Sequence, residues 1–195
     1  MATLIKNGTL ITDLETFEAD ILIDGEQISL IGKNLQHPNA EVIDATGKLI
    51  MPGGIDPHVH LDLPMFGTVS SDDHYTGHKA AAFGGTTTVM DFVVLEQEGF
   101  EHSVGLWWER SAKAAIDYSF HMNLTRFDER LAKEIPFLRE MGITTLKVFT
   151  AYNGRLRLED GNIFKALRIA KENGMLVMAH CENGDVIETL IPEAL

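Results

Sequence analysis

GGIDPHVHLD, residues Gly53 to Asp62, ends a short apolar run with two histidines one residue apart, directly after a Pro-Gly-Gly break. A strand places residues i and i+2 on one face. His58 and His60 would therefore project together, about 7 Å apart along the chain, a spacing that suits two imidazoles on one metal ion. Two polar residues at a strand end are the plainer reading of the same spacing.

The texture of the chain changes at this stretch. Upstream, TLIKNGTLIT, ADILIDGEQISLIG and AEVIDATGKLI are β-branched runs broken at Asn7-Gly8 and Asp24-Gly25. These dipeptides tolerate positive φ and suit hairpin turns, so a small antiparallel sheet is expected there. Downstream, the strand-like runs GIDPHVH, TTTVMDFVV, YSFHMNL, TTLKVFTAY and MLVMAHC alternate with helix-like segments, several of which close on glycine, and a fifth helix starts at NGDVIETL. Such alternation implies an α/β fold with a parallel sheet and right-handed crossovers. An open doubly wound sheet and the first part of a (β/α)8 barrel fit the periodicity equally. Two domains follow, 1–52 and 53–195.

Composition narrows the function. In 195 residues, 45% are hydrophobic, enough for a sizeable core, and 29 acidic against 16 basic residues give a formal charge of -13, which disfavours nucleic acid and anionic membrane surfaces as partners. One cysteine, Cys181, excludes an internal disulfide framework. The first residues lack the pattern of a signal peptide, no run approaches the roughly 20 apolar residues of a membrane span, and a cytoplasmic location is expected.

Ligands of parallel α/β sheets bind at the carboxyl ends of the strands, which are the ends occupied by His58, His60, Lys147 and His180. Lys147 stands in an otherwise apolar run, where an unpaired ammonium costs several kcal/mol, so it should be neutral, paired or modified. An ion pair with Asp91 or another strand-end acid is one solution. Addition of carbon dioxide to a neutral amine, giving a carbamate able to bridge two metal ions, is another.

Three stretches in register, GGIDPHVHLDLPMFGTVSSDDHYTGHKAAAFGGTTTVMDF, LKVFTAY and MAHCENGD, resemble the dihydropyrimidinase and D-hydantoinase branch of the amidohydrolase superfamily over essentially the whole chain. The resemblance implies a metal-dependent (β/α)8 barrel, of which about the first five strands are present, beside a β-sandwich to which residues 1–52 contribute. It implies two Zn2+ ions bridged by N6-carboxylated Lys147, with His58 and His60 on the first ion and His180 on the second. It also assigns Tyr152 to the substrate, as the catalytic phenol that stabilises the oxyanion while the metals activate water and polarise the carbonyl. The implied reaction is hydrolysis of the cyclic amide of dihydropyrimidines or 5-substituted hydantoins to N-carbamoyl amino acids, by a homotetramer acting on a small-molecule substrate. Relatives carry a further histidine and an aspartate at later strand ends, and residues 53–195 fall short of the about 250 residues such a barrel takes, so the chain reads as truncated. The alternatives are a non-catalytic assembly protein of dihydropyrimidinase type and an inactive truncated fragment. Dihydroorotases read H-x-H-x-R, whereas position 62 here is Asp62.

Other residues attract weaker readings. Leu63, Met65 and Phe66 either wall the exocyclic group of the substrate or pack beneath the barrel rim. His74 and His78, at i, i+4 spacing after SSDD, read as a solvated helix face, and His37, His102 and His121 have no partner pattern. Trp107 and Trp108 read as helix packing, and Cys181 as a small buried residue on the strand face opposite His180.

Overall fold

The computed structural model describes residues 1–65 and 67–194, and they form two compact units, Met1–Gly53 and Gly54–Leu195. The first is a five-stranded sheet of β1 (Ala2–Ile11), β2 (Thr16–Asp24), β3 (Gln27–Gly32), β4 (Glu41–Asp44) and β5 (Leu49–Ile50). Strands β1 to β3 are an antiparallel meander, but β4 and β5 both run parallel to β1, so the sheet is mixed rather than antiparallel. After β3 the chain returns past β2 to the free edge of β1, and a strand arriving that way comes in parallel.

Asp24-Gly25 makes the expected hairpin, with Asp24 paired to Gln27 and Gly25 at φ 61°. Asn7-Gly8 does not. It is a bulge inside β1, where the register slips by one between Ile5↔Ile21 and Gly8↔Ala19 and Asn7 takes φ 63°. Asn7 donates its backbone N–H to Asp20 Oδ1 (2.9 Å) and its amide to Asp44 Oδ1 (3.0 Å). A Cβ on Gly8 would lie 2.2 Å from Ile50 Cδ1, so no side chain fits there. The dipeptide supplies the same backbone in either setting, and the apolar runs on both sides of it keep the ladder going.

The second unit runs β6 (Gly54–Val59), the small hairpin β7 (Pro64–Met65) and β8 (Thr68–Val69), α1 (His74–Phe83), β9 (Thr86–Val93), α2 (Phe100–Ser111), β10 (Asp117–Asn123), α3 (Glu129–Glu140), β11 (Thr145–Phe149), α4 (Asp160–Glu172), β12 (Leu176–His180) and α5 (Gly184–Ala194). Its parallel sheet has the order β6-β9-β10-β11-β12, which is chain order. A doubly wound sheet reverses direction at a switch point, and this one never does, which is the winding of the first five strands of a (β/α)8 barrel. Helices α1 to α4 pack in sequence, each against the next, on one side of that sheet. Between them and the strands lies the core, with Phe100, Trp107, Phe120, Met122, Leu131, Ile135, Leu138, Leu146 and Val148 essentially inaccessible to water. Trp107 is fully buried and Trp108 leans on Tyr118 and Phe120, so both indoles serve packing as expected.

The start of α1 is fixed locally. Asp73 accepts from the N–H groups of Tyr75 and Thr76 while the Thr76 hydroxyl accepts from the Asp73 N–H, a reciprocal cap worth about 1 kcal/mol. Lys113 reaches both Asp73 (2.8 Å) and Asp62 (3.3 Å), and Arg110 donates to the Asp62 carbonyl (2.9 Å), so α2 holds down the loop that leaves the H-x-H strand.

Candidate functional site

On the sheet face turned away from the helices, His58 of β6 and His60, one residue past the end of that strand, come together with ring centroids 5.2 Å apart. Both lie against the ring of Phe92, at 4.6 and 5.0 Å, and His121, the register partner of Phe92 on β10, meets the same ring at 4.9 Å. Lys147 Nζ stands 5.4 Å from the Phe92 centroid and 5.5 Å from that of Phe149. Phe92 is thus an apolar floor under three histidines and a lysine, brought by β6 and the residue after it, β10 and β11.

Lys147 is only 7% exposed, and among the described residues no carboxylate lies within 4 Å of its amine. The ion pair with Asp91 does not form. Asp91 and Phe92 are consecutive in β9 and so face opposite sides of the sheet, Phe92 toward Lys147 and Asp91 toward the helices. Burial lowers the pKa of Lys147 from its ordinary value, favouring the neutral, nucleophilic amine. Burial, reinforced by Lys147 and by neighbouring imidazoles, likewise lowers His58 and His60, keeping the rings neutral with lone pairs free for a ligand. His121 was not singled out in sequence. Its Nε2 meets the Pro57 carbonyl (3.0 Å) two residues upstream of Val59, and its Nδ1 is buried without a partner.

His180 ends β12 on the same face, in register with Phe149, and its ring lies 5.3 Å from that of Tyr152. Its Nε2 hydrogen-bonds Glu182, so it can join an ion only by exchanging that carboxylate or through Nδ1. Cys181, expected to be buried, is exposed, because β12 ends at His180 and the next residue already belongs to the loop. Tyr152 has φ 65°, a left-handed backbone that costs a non-glycine residue about 1–3 kcal/mol. Its carbonyl accepts the N–H groups of Arg155 (3.0 Å), Leu156 (3.0 Å) and Arg157 (3.3 Å), closing a tight turn that leaves the phenol 41% exposed beside His180. Among the described residues no three His, Cys, Asp or Glu side chains converge to hold an ion.

The helix side of the same strands holds a second cluster. His74 and His78, expected on a solvated surface, are both fully buried, their rings 5.4 Å apart and packed on Tyr118. The cap at Asp73 turns the first turn of α1 inward, so the polar sequence before it lies outside while the histidines do not. His78 Nδ1 accepts the Ala115 N–H (3.2 Å), and His74 Nε2 lies 3.4 Å from Asp91 Oδ2. Burial pushes the Asp91 carboxyl up to about 7 against the pull of the Phe92 N–H, and burial with the neighbouring His78 brings His74 down to about 4. Between about pH 4 and pH 7 the contact is therefore between a carboxylic acid and a neutral imidazole. Asp91→Asn preserves an acceptor for the Phe92 N–H and is expected to stay within about 1 kcal/mol of the parent, whereas Asp91→Ala, which takes the acceptor from that buried N–H, costs about 1–3 kcal/mol in urea unfolding.

Of the three apolar residues after the H-x-H strand, Leu63 is 7% exposed and joins the core, and Met65 sits exposed on the β7–β8 hairpin. Phe66 lies outside the described residues.

Residues 49–191 match the sequence profile of the Amidohydrolase family. The chain is 48% identical over 198 residues to a D-hydantoinase of Geobacillus stearothermophilus, a match covering 100% of this chain and 42% of that protein. Among solved structures it superposes on a dihydropyrimidinase from Brevibacillus agri with TM-score 0.96 at 48% identity, and on a D-hydantoinase with TM-score 0.97 at 47%, covering in each case 100% of this chain and 43% of the other. The chain thus spans less than half the length of the relatives it matches. No helix among the described residues is long and apolar enough to cross a membrane. A parallel sheet wound in one direction, an H-x-H strand facing a buried unpaired lysine, and a profile match over most of the chain agree: this chain belongs to the amidohydrolase family.

Proposed function

We propose that the intact protein hydrolyses the cyclic amide bond of dihydropyrimidines or 5-substituted hydantoins, releasing N-carbamoyl amino acids, with divalent metal held at the mouth of the barrel. The observation that carries this reading is Lys147. It is a buried amine whose pKa is lowered by burial, with two imidazoles beside the same Phe92 ring and no counter-ion among the described residues. A structural lysine would be paired, and this donor set suits a carbamate shared between two ions.

In this reading His58 and His60 would hold one Zn2+ and His180 a second, with Lys147, as its N6-carboxylate, the ligand that both would share. When bound, such ions activate water and polarise a carbonyl. The protein's own contribution is orientation and charge. Phe92 excludes water beneath the ligands, and the Tyr152 phenol donates a hydrogen bond to the amide oxygen as negative charge develops on it. Met65, exposed on the β7–β8 hairpin, would meet the exocyclic substituent of the substrate. A cytoplasmic homotetramer goes with the same reading, with neither nucleic acid nor membrane as partner, and the acidic balance of the chain supports the absence of these two partners.

The test is metal analysis of the intact protein together with assays on dihydrouracil and a 5-substituted hydantoin. Close to two divalent ions per chain and ring opening that a chelator abolishes are expected. Trace metal, with position 147 unmodified by mass spectrometry, overturns the reading.

A further inference from the structure

Tyr152 keeps a backbone that its side chain disfavours, and the loop carrying it is tied to the loop after His180. Asp185, in the first turn of α5, accepts two hydrogen bonds on Oδ1, from Asn153 Nδ2 (2.8 Å) and Arg157 Nη1 (2.6 Å). Arg157 Nη1 also donates to Asn153 Oδ1 (3.0 Å), closing the triangle. Asn153 directly follows the left-handed Tyr152, and Arg157 is the last residue whose N–H reaches the Tyr152 carbonyl. Both ends of the tyrosine turn therefore attach to one carboxylate.

The approach of the two loops is close. A Cβ on Gly184 would fall 2.3 Å from Asn153 Oδ1 and 3.1 Å from Ala151 Cα, so glycine is required for contact rather than for its backbone angle. At the other end of the seam the Thr150 hydroxyl donates to the carbonyls of His180 (3.0 Å) and Glu182 (2.6 Å), and the Gly184 N–H reaches the Thr150 carbonyl (3.3 Å). Asp185 is 69% exposed, where an isolated ion pair contributes little to stability. What the triangle does define is where residue 152 sits relative to His180.

We propose that Asp185 is a positioning residue for Tyr152, acting through Asn153 and Arg157 to lock the tyrosine turn against the His180 loop. The proposal rests on the hydrolytic reading for its kinetic test but not for its structural one. In the metal-loaded intact protein, Asp185→Ala is expected to lower kcat on dihydrouracil about 10- to 10²-fold, the scale of a misplaced catalytic group, with metal content and KM nearly unchanged. Asp185→Asn, which retains an acceptor at Oδ1, recovers most of the loss. In a Tyr152→Phe background Asp185→Ala adds no further loss, since there is no phenol left to position. An equal loss in both backgrounds, no loss at all, or loss of metal overturns the proposal.

A crystal structure of the Asp185→Ala protein reads the same point without turnover. Residue 152 is expected to leave the left-handed region and its ring to move off His180, while His58, His60 and Lys147 stay in place. Gly184→Ala should displace the turn in the same way. An unmoved Tyr152 in both variants sinks the latch whether or not the protein opens cyclic amides, and absence of turnover in the parent protein sinks the hydrolytic reading alone.

Discussion

Replacing Lys147 by alanine in the intact protein is expected to remove both bound metal and activity while leaving the fold at least as stable as before. The two halves of this expectation come from one fact, that the amine is 7% exposed with no carboxylate beside it among the described residues. Were Lys147 half of a buried ion pair, its loss would leave an orphaned carboxylate and cost about 3–5 kcal/mol. Here the apoprotein loses only a desolvated amine, so its thermal midpoint should hold or rise. The donor that would complete a site around His58 and His60 is gone, however, and two imidazoles alone fall short of the four ligands a tetrahedral ion needs. Metal content by elemental analysis, ring opening of dihydrouracil and the melting curve of the apoprotein together check the result. A destabilised apoprotein, or a variant that keeps its metal, would show that Lys147 is structural.

Tyr152→Phe is expected to do the reverse: metal retained, stability little changed, and kcat lowered about 10²- to 10³-fold, the usual effect of removing one donor to a developing oxyanion. The phenol is 41% exposed and its ring packs on His180 and Phe149, contacts that phenylalanine reproduces. KM should change much less than kcat, because the hydrogen bond strengthens as charge develops on the oxygen. Unchanged kcat would remove Tyr152 from the chemistry, and equal metal loss in this variant and in Lys147→Ala would show that the two residues share one role.

Local information decided much of this. The strand period of two places His58 and His60 on one face whatever surrounds them, and an ammonium in the apolar run TTLKVFTAY has to be neutral, paired or modified wherever the strand lies. Alternating strands and helices ending on glycine were enough for a parallel sheet, and motifs in register were enough for the family. Pairing across long stretches of chain was not legible. Asn7-Gly8 has the same sequence and the same positive φ in a hairpin or a bulge, and only the continuing ladder with β2 makes it a bulge. His74 and His78 follow a polar run that reads as surface, until the cap at Asp73 turns them in against Asp91 and Tyr118. His121 and Phe92 join the site because β9 and β10 pair in a particular register, and the link from Asp185 to Asn153 and Arg157 spans about 30 residues of intervening helix and strand. A sequence specifies periods and turn conformations residue by residue, so faces and local angles could be read from it. Which face meets which neighbour depends on the winding of the sheet, and the one-directional order β6-β9-β10-β11-β12, which aligns these strand ends around one floor, exists only once distant strands have paired.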